Sequence, residues 1–175
     1  MSIREFINNC VEGGELFLLS PALESTPRVR HIFATKEVCD AVFGPWIDGK
    51  VEARFGRARA YLDTFMSGDL MSVRMPPSRS VHTQIALLED DKDHVWEIRV
   101  RDPRPGIRIF GRFSEKDVFL ALTIGLREKY KTEADWVPDI ERCKKIWRTY
   151  FFTYKPLSGS QADDYISNSF SVGNT

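Results

Sequence analysis

Five arginines, Arg99, Arg101, Arg104, Arg108 and Arg112, fall within fourteen positions of the stretch EIRVRDPRPGIRIFGRF, residues 97–113. Between the first and the last of them Asp102 is the only acid. The chain as a whole balances 25 basic against 25 acidic side chains, so this is a local excess and not part of a global field. A guanidinium is a planar fork that binds phosphate oxygens two at a time. It can also stabilise the added charge of a phosphoryl transition state without titrating. A phosphodiester is therefore the natural ligand. The alternative is that these arginines pair with Glu97, Glu52, Glu115 or Asp117, or face solvent.

Other chemistry is sparse. His31, His82 and His94 lack metal-ligand spacing and read as surface or half-buried histidines. Cys10, Cys39 and Cys143 are far apart and odd in number, which argues against a disulfide framework or a metal cluster. Cys143, Trp136 and Trp147 recur on the apolar stripe of a helix and read as core. The glycines show no phosphate-loop spacing, so no cofactor is expected. No stretch approaches the ~18 apolar residues of a membrane span, and no leader pattern opens the chain. A reducing, cytoplasmic setting is expected.

The elements that must carry the arginines follow from periodicity. Ser2 and Glu5 spell a capping box before an apolar face at Ile3, Phe6, Ile7 and Cys10, which predicts a short first helix. Residues 15–27 read as an extended segment, and 28–35 as a strand. Thr35 opens a short helix ended by Gly44. Val51, Phe55, Ala58, Leu62 and Phe65 mark a longer one, with Gly68 at its end. After a Pro/Ser break, strands are expected at 82–89, 94–101, 106–113 and 117–125. A final helix begins near Trp136, with Pro138 in its first turn. Alternation in the 94–113 hairpin puts Arg99, Arg101, Arg108 and Arg112 on the face opposite the aliphatic set, with Arg104 in the turn. From residue 155 the composition turns to Ser, Gly, Asn and Asp, which predicts a flexible tail on which Tyr165, Ile166 and Phe170 could dock. Residues 1–27 form an extension that could lie across the sheet and cover a site.

The order of these elements, with ARFGRARAYLDTFMSGD, VWEIRVR, PGIRIFGRF, VFLALTIGLREKY and WVPDIERC, resembles the RelE/HigB-type toxins of bacterial type II toxin–antitoxin systems and their phage-derived relatives. The resemblance covers about residues 28–150. It implies an α+β, RelE-like domain over 28–154, with N-terminal helices packed on a four-stranded, mainly antiparallel sheet and a C-terminal helix. It also implies metal-independent cleavage of messenger RNA, usually on the ribosome, and a cognate antitoxin that covers the site. Position by position, it selects Arg99, Arg108 and Arg127 as catalytic, with Arg101, Arg112 and Lys129 holding the RNA backbone and Phe110 or Tyr130 gripping a base. The proton shuttle stays open among Tyr130, Glu97 and Glu128, with Glu133 near the place of a tyrosine that some members carry. Glu97 stands where that family is often basic. A second reading is a non-catalytic member of the superfamily that binds gyrase, an antitoxin-like protein or nucleic acid.

Overall fold

A computed structural model describes residues 1–46, 49–80, 82–88, 93–129 and 131–173, without the side chains of Glu128, Glu133 and Ala134. At the start of the chain the Ser2 hydroxyl accepts from the Glu5 amide and the Glu5 carboxylate accepts from the Ser2 amide, capping helix α1 (Ile3–Glu12). Strand β1 (Leu16–Leu18) follows, then β2 (His31–Thr35) and helix α2 (Lys36–Phe43), which ends at Gly44. Thr35 spends its hydroxyl on the Leu122 carbonyl and not on a cap. Helix α3 (Gly49–Met66) turns out at Gly68, whose φ of +82° and whose missing Cβ, 2.8 Å from Val29, both require glycine.

The strands β3 (Met71–Arg74), β4 (Ile85–Leu87), β5 (Trp96–Val100), β6 (Ile107–Glu115) and β7 (Val118–Leu126) come next, before helix α4 (Val137–Phe151). The chain closes with a helical turn α5 (Ala162–Tyr165) and strand β8 (Ser169–Ser171). All eight strands join one sheet in the order β1-β2-β7-β6-β5-β4-β3-β8. The pairs β2–β7, β3–β4 and β3–β8 are parallel and the rest antiparallel.

This overturns the expected four-stranded, mainly antiparallel sheet, and a RelE-like fold is not shown. The strands anticipated near 28–35, 82–89, 94–101, 106–113 and 117–125 exist, but β1, β3 and β8 extend the sheet at both edges. Each of the three is short: β3 alternates Met71 and Val73 with Ser72 and Arg74, but over four residues only before the prolines, and β8 sits in polar wording. Their pairing comes from backbone hydrogen bonds to neighbours already in place.

Both faces of the sheet are covered. Trp96, Ile98, Ile109, Phe113 and Phe119 pack with α2, α3 and Tyr165 on one side, whereas Phe110, Leu120 and Leu122 pack with α1 and α4 on the other. Within β6 and β7 the register slips between Phe110 and Gly111, and a Cβ at Gly111 would meet the Leu120 carbonyl oxygen at 2.1 Å.

The residues expected as a flexible tail are bound into the core. Tyr165 and Ile166 are fully buried, with the Tyr165 ring 4.6 Å from that of Trp96 and its hydroxyl on the Gly159 backbone. Arg30, also fully buried, donates to the carbonyls of Phe65, Asp69, Ser167 and Asn168 and so ties β2, the end of α3 and the tail together. Phe170, named with them as able to dock, stays half exposed. Truncating a buried aromatic costs about 3–5 kcal/mol, so Tyr165→Ala is expected to lower the urea-unfolding free energy by that amount. A loss below about 1 kcal/mol would mean that the tail is not part of the cooperative core.

Candidate functional site

In the β5–β6 ladder Arg99 lies directly opposite Arg108, and the residue opposite Arg108 on β7 is Gly125. Two like charges face to face on adjacent strands repel, by roughly 0.2–1 kcal/mol even where water screens them. Here they are screened little, because Arg99 keeps 6% of its surface and the Arg108 side chain 13%. Glu97 resolves the conflict. It precedes Arg99 by two residues, so its side chain shares that face, and its two carboxylate oxygens divide between the pair. Oε1 takes Arg99 Nε at 2.6 Å and Oε2 takes Arg108 Nε at 3.2 Å.

Two further arginines and two rings complete the cluster. Arg99 also donates to the Ser80 carbonyl and the Thr83 hydroxyl, which anchors the loop between β3 and β4 over it. That loop carries His82, whose Nδ1 is 3.0 Å from Arg101 Nη1. On the other side, Arg108 and Arg127 both rest against the Trp136 ring, 5.6 and 5.2 Å from its centroid. Burial pushes the Arg108 guanidinium down to about 10; Glu97 opposes the shift, while Arg99, Arg127 and Arg101 add to it. It therefore stays cationic at neutral pH. Arg101 is lowered too, by burial and then by Arg99. Four guanidiniums thus act on one another electrostatically around a single carboxylate.

The residues singled out from sequence divide accordingly. Arg99, Arg108, Arg127 and Arg101 come together. Arg112 does not join them: it keeps 3% of its surface, lies 5.5 Å from the Trp147 centroid beneath α4 and faces Asp93 at 4.0 Å. Phe110 cannot stack on a base, because it is 1% exposed and packed edge-on against Trp136. Lys129 is exposed at the end of the helical turn Arg127–Lys129. Tyr130 and the side chains of Glu128 and Glu133 lie outside the described residues. Of the acids weighed as partners, Glu97 pairs within the cluster, Glu115 pairs with Arg4 and Asp117 with Arg30. Because Glu97 is held by two arginines, it is a structural anion and a poor proton shuttle.

Residues 1–27 do not cover the cluster. α1 packs on α4 through Phe6, Phe151 and Tyr154, and Arg4 binds Glu115 at the end of β6 away from Arg108, roughly 23 Å along the strand. β1 lies beyond β7 and β2 from the arginine strands. Two participants were missed from sequence. Trp136 reads as core by helical spacing, yet it begins the final helix as a platform for two guanidiniums. His82 reads as an unremarkable surface residue, since nothing local links it to Arg101, nineteen positions away.

Among the described residues no group of three or more His, Cys, Asp or Glu is placed to hold a metal, and no helix is long and apolar enough to cross a membrane.

Removing one member of a buried ion pair costs about 3–5 kcal/mol. Glu97→Gln should therefore lower unfolding stability by that amount, since two guanidiniums lose their shared anion. Replacing chloride with sulfate at equal ionic strength should recover much of the loss, as an anion binds between Arg99 and Arg108. If sulfate and chloride give the same unfolding midpoint for this variant, the cluster does not accept an oxyanion. The chain matches no family model, no curated protein and no solved structure.

Proposed function

We propose that the protein is a cytoplasmic, metal-independent endoribonuclease acting on messenger RNA, with Arg99, Arg108 and Arg127 at the scissile phosphate and Arg101 and Lys129 along the neighbouring backbone. The observation that carries this reading is the gathering of four guanidiniums around one carboxylate in a chain of zero net charge. Even with Asp102 beside Arg101, four cations outnumber the acids that act on them, which leaves a local positive excess. The sequence resemblance to RelE/HigB-type toxins supplies the reaction and, with it, a ribosome-bound substrate and an antitoxin as partners. It does not supply the fold.

In this reaction the ribose 2′-hydroxyl attacks the adjacent phosphorus, and the phosphorane gathers negative charge on its non-bridging oxygens. Cations already fixed around that position stabilise it without reorganising. Arg127 and Arg101 are the more accessible of the four and meet the substrate first. Arg108 follows, its guanidinium set between Glu97 and the Trp136 ring.

A second reading rests on Glu97 alone. Because it already satisfies Arg99 and Arg108, the cluster can bind phosphate or an acidic protein surface without catalysis. Inducing the wild type and Arg108→Ala in bacteria separates the two. Growth arrest with message cleavage by the wild type, lost in the variant, is expected for the nuclease. With purified protein, phosphate contacts by these five cations give a slope of log affinity on log salt of about −3.5 for single-stranded RNA, and Arg108→Ala should make it shallower by about 0.7. RNA binding without cleavage would leave the second reading in its nucleic-acid form, and no RNA binding would exclude the nuclease and leave only an acidic protein partner.

A further inference from the structure

The contact between His82 and Arg101 has a chemical consequence that the arginine cluster alone does not. An arginine N–H can only donate, so at 3.0 Å from Arg101 Nη1 the Nδ1 atom of His82 must accept. In this contact Nδ1 presents its lone pair to the guanidinium. The ring is exposed, and its loop is held in place: the His82 amide donates to the Ser80 hydroxyl, while the Ser80 carbonyl and the Thr83 hydroxyl accept from Arg99. The loop that carries the imidazole is thus tied to Arg99, the residue that pairs with Glu97 and faces Arg108.

We infer that His82 is the catalytic base of the ribonuclease reaction, a step that rests on the reading above. A phosphate entering the cluster draws the Arg101 guanidinium to its oxygens and releases Nδ1 beside the substrate. The 2′-hydroxyl proton passes to that nitrogen as the 2′-oxygen bonds to phosphorus. The bond from phosphorus to the 5′-oxygen breaks, leaving a 2′,3′-cyclic phosphate, and the departing 5′-oxygen takes a proton from water. Imidazole is the side chain most used for such a transfer. The charged and titratable groups around it are Arg101 directly and, through Arg101, Arg99, Glu97, Asp102 and Tyr61 of α3.

Single-turnover cleavage of a single-stranded RNA oligonucleotide across pH tests this with the full chain. The wild-type rate should rise with pH as the imidazole loses its proton and then level off. His82→Asn keeps an acceptor for Arg101 but cannot titrate; it should lose about 100-fold or more in rate and lose the rising limb, with RNA affinity unchanged. Added imidazole should restore cleavage to His82→Gly, which a purely structural role would not allow. Wild-type rate and profile in His82→Asn would overturn the inference while leaving the nuclease reading intact. Parallel loss of binding and cleavage would make His82 a phosphate contact and not a base. A wild type that binds RNA but cleaves at no pH would overturn both.

Discussion

Glu97 is the interaction on which the arginine face depends. A ladder that sets Arg99 against Arg108 places two cations in the same small, poorly hydrated volume, and neither can leave without breaking the sheet. One carboxylate, two residues before Arg99 on the same face, reaches both with separate oxygens. Its geometry follows from the period-two rule of a strand, so one residue solves a problem that the alternating pattern itself creates. The surrounding loop and the Trp136 platform then build on guanidiniums whose positions are already fixed.

A second buried arginine does comparable work for the scaffold. Arg30 lends its guanidinium to carbonyls from α3, the turn after it and the tail, so that segments remote in sequence share one donor. The tail can then supply β8 as a parallel neighbour of β3, and β3 holds β4 beside β5. Anchoring of the loop that carries His82 therefore runs back through the sheet to a contact made by β2. Arginine suits both tasks because five donors on one rigid plane satisfy several acceptors at once.

The regular parts of this arrangement were legible in the sequence. The capping box of α1, the glycine stop after α3 and the four longer strands follow from local rules that hold whatever surrounds them. That Arg99 and Arg108 share a face was legible too, since alternation fixes it, but their direct opposition was not, because the connection 101–106 is too long to set the register by turn type alone. What was not legible depends on distance along the chain. β1, β3 and β8 have three or four residues each and become strands only because a partner edge is waiting. Tyr165 reads as able to dock from an otherwise flexible tail, but that the whole segment is ordered around it depends on Trp96, sixty-nine positions earlier. Within the site, Arg112 and Phe110 share the arginine face as alternation required, but α4 covers that end of it, and no strand pattern shows where a later helix will lie.

Coverage also sets the division of labour within the cluster. Arg99 and Arg108 are the less exposed pair and already have an anion, so their charge is spent largely on holding Glu97 and shaping the face. Arg127 is exposed against Trp136, and Arg101 contacts His82 and makes no ion pair of its own with Glu97, so both face an incoming ligand more openly than the inner pair. A phosphate that engages the outer pair enters the field of the inner pair, where low exposure makes each charge count for more than it would in water. In the proposed reaction, outer cations would capture the phosphate and inner cations would stabilise the charge it gains. A solvated arginine stripe, with every side chain equally screened, would bind such a group without distinguishing its ground state from its transition state.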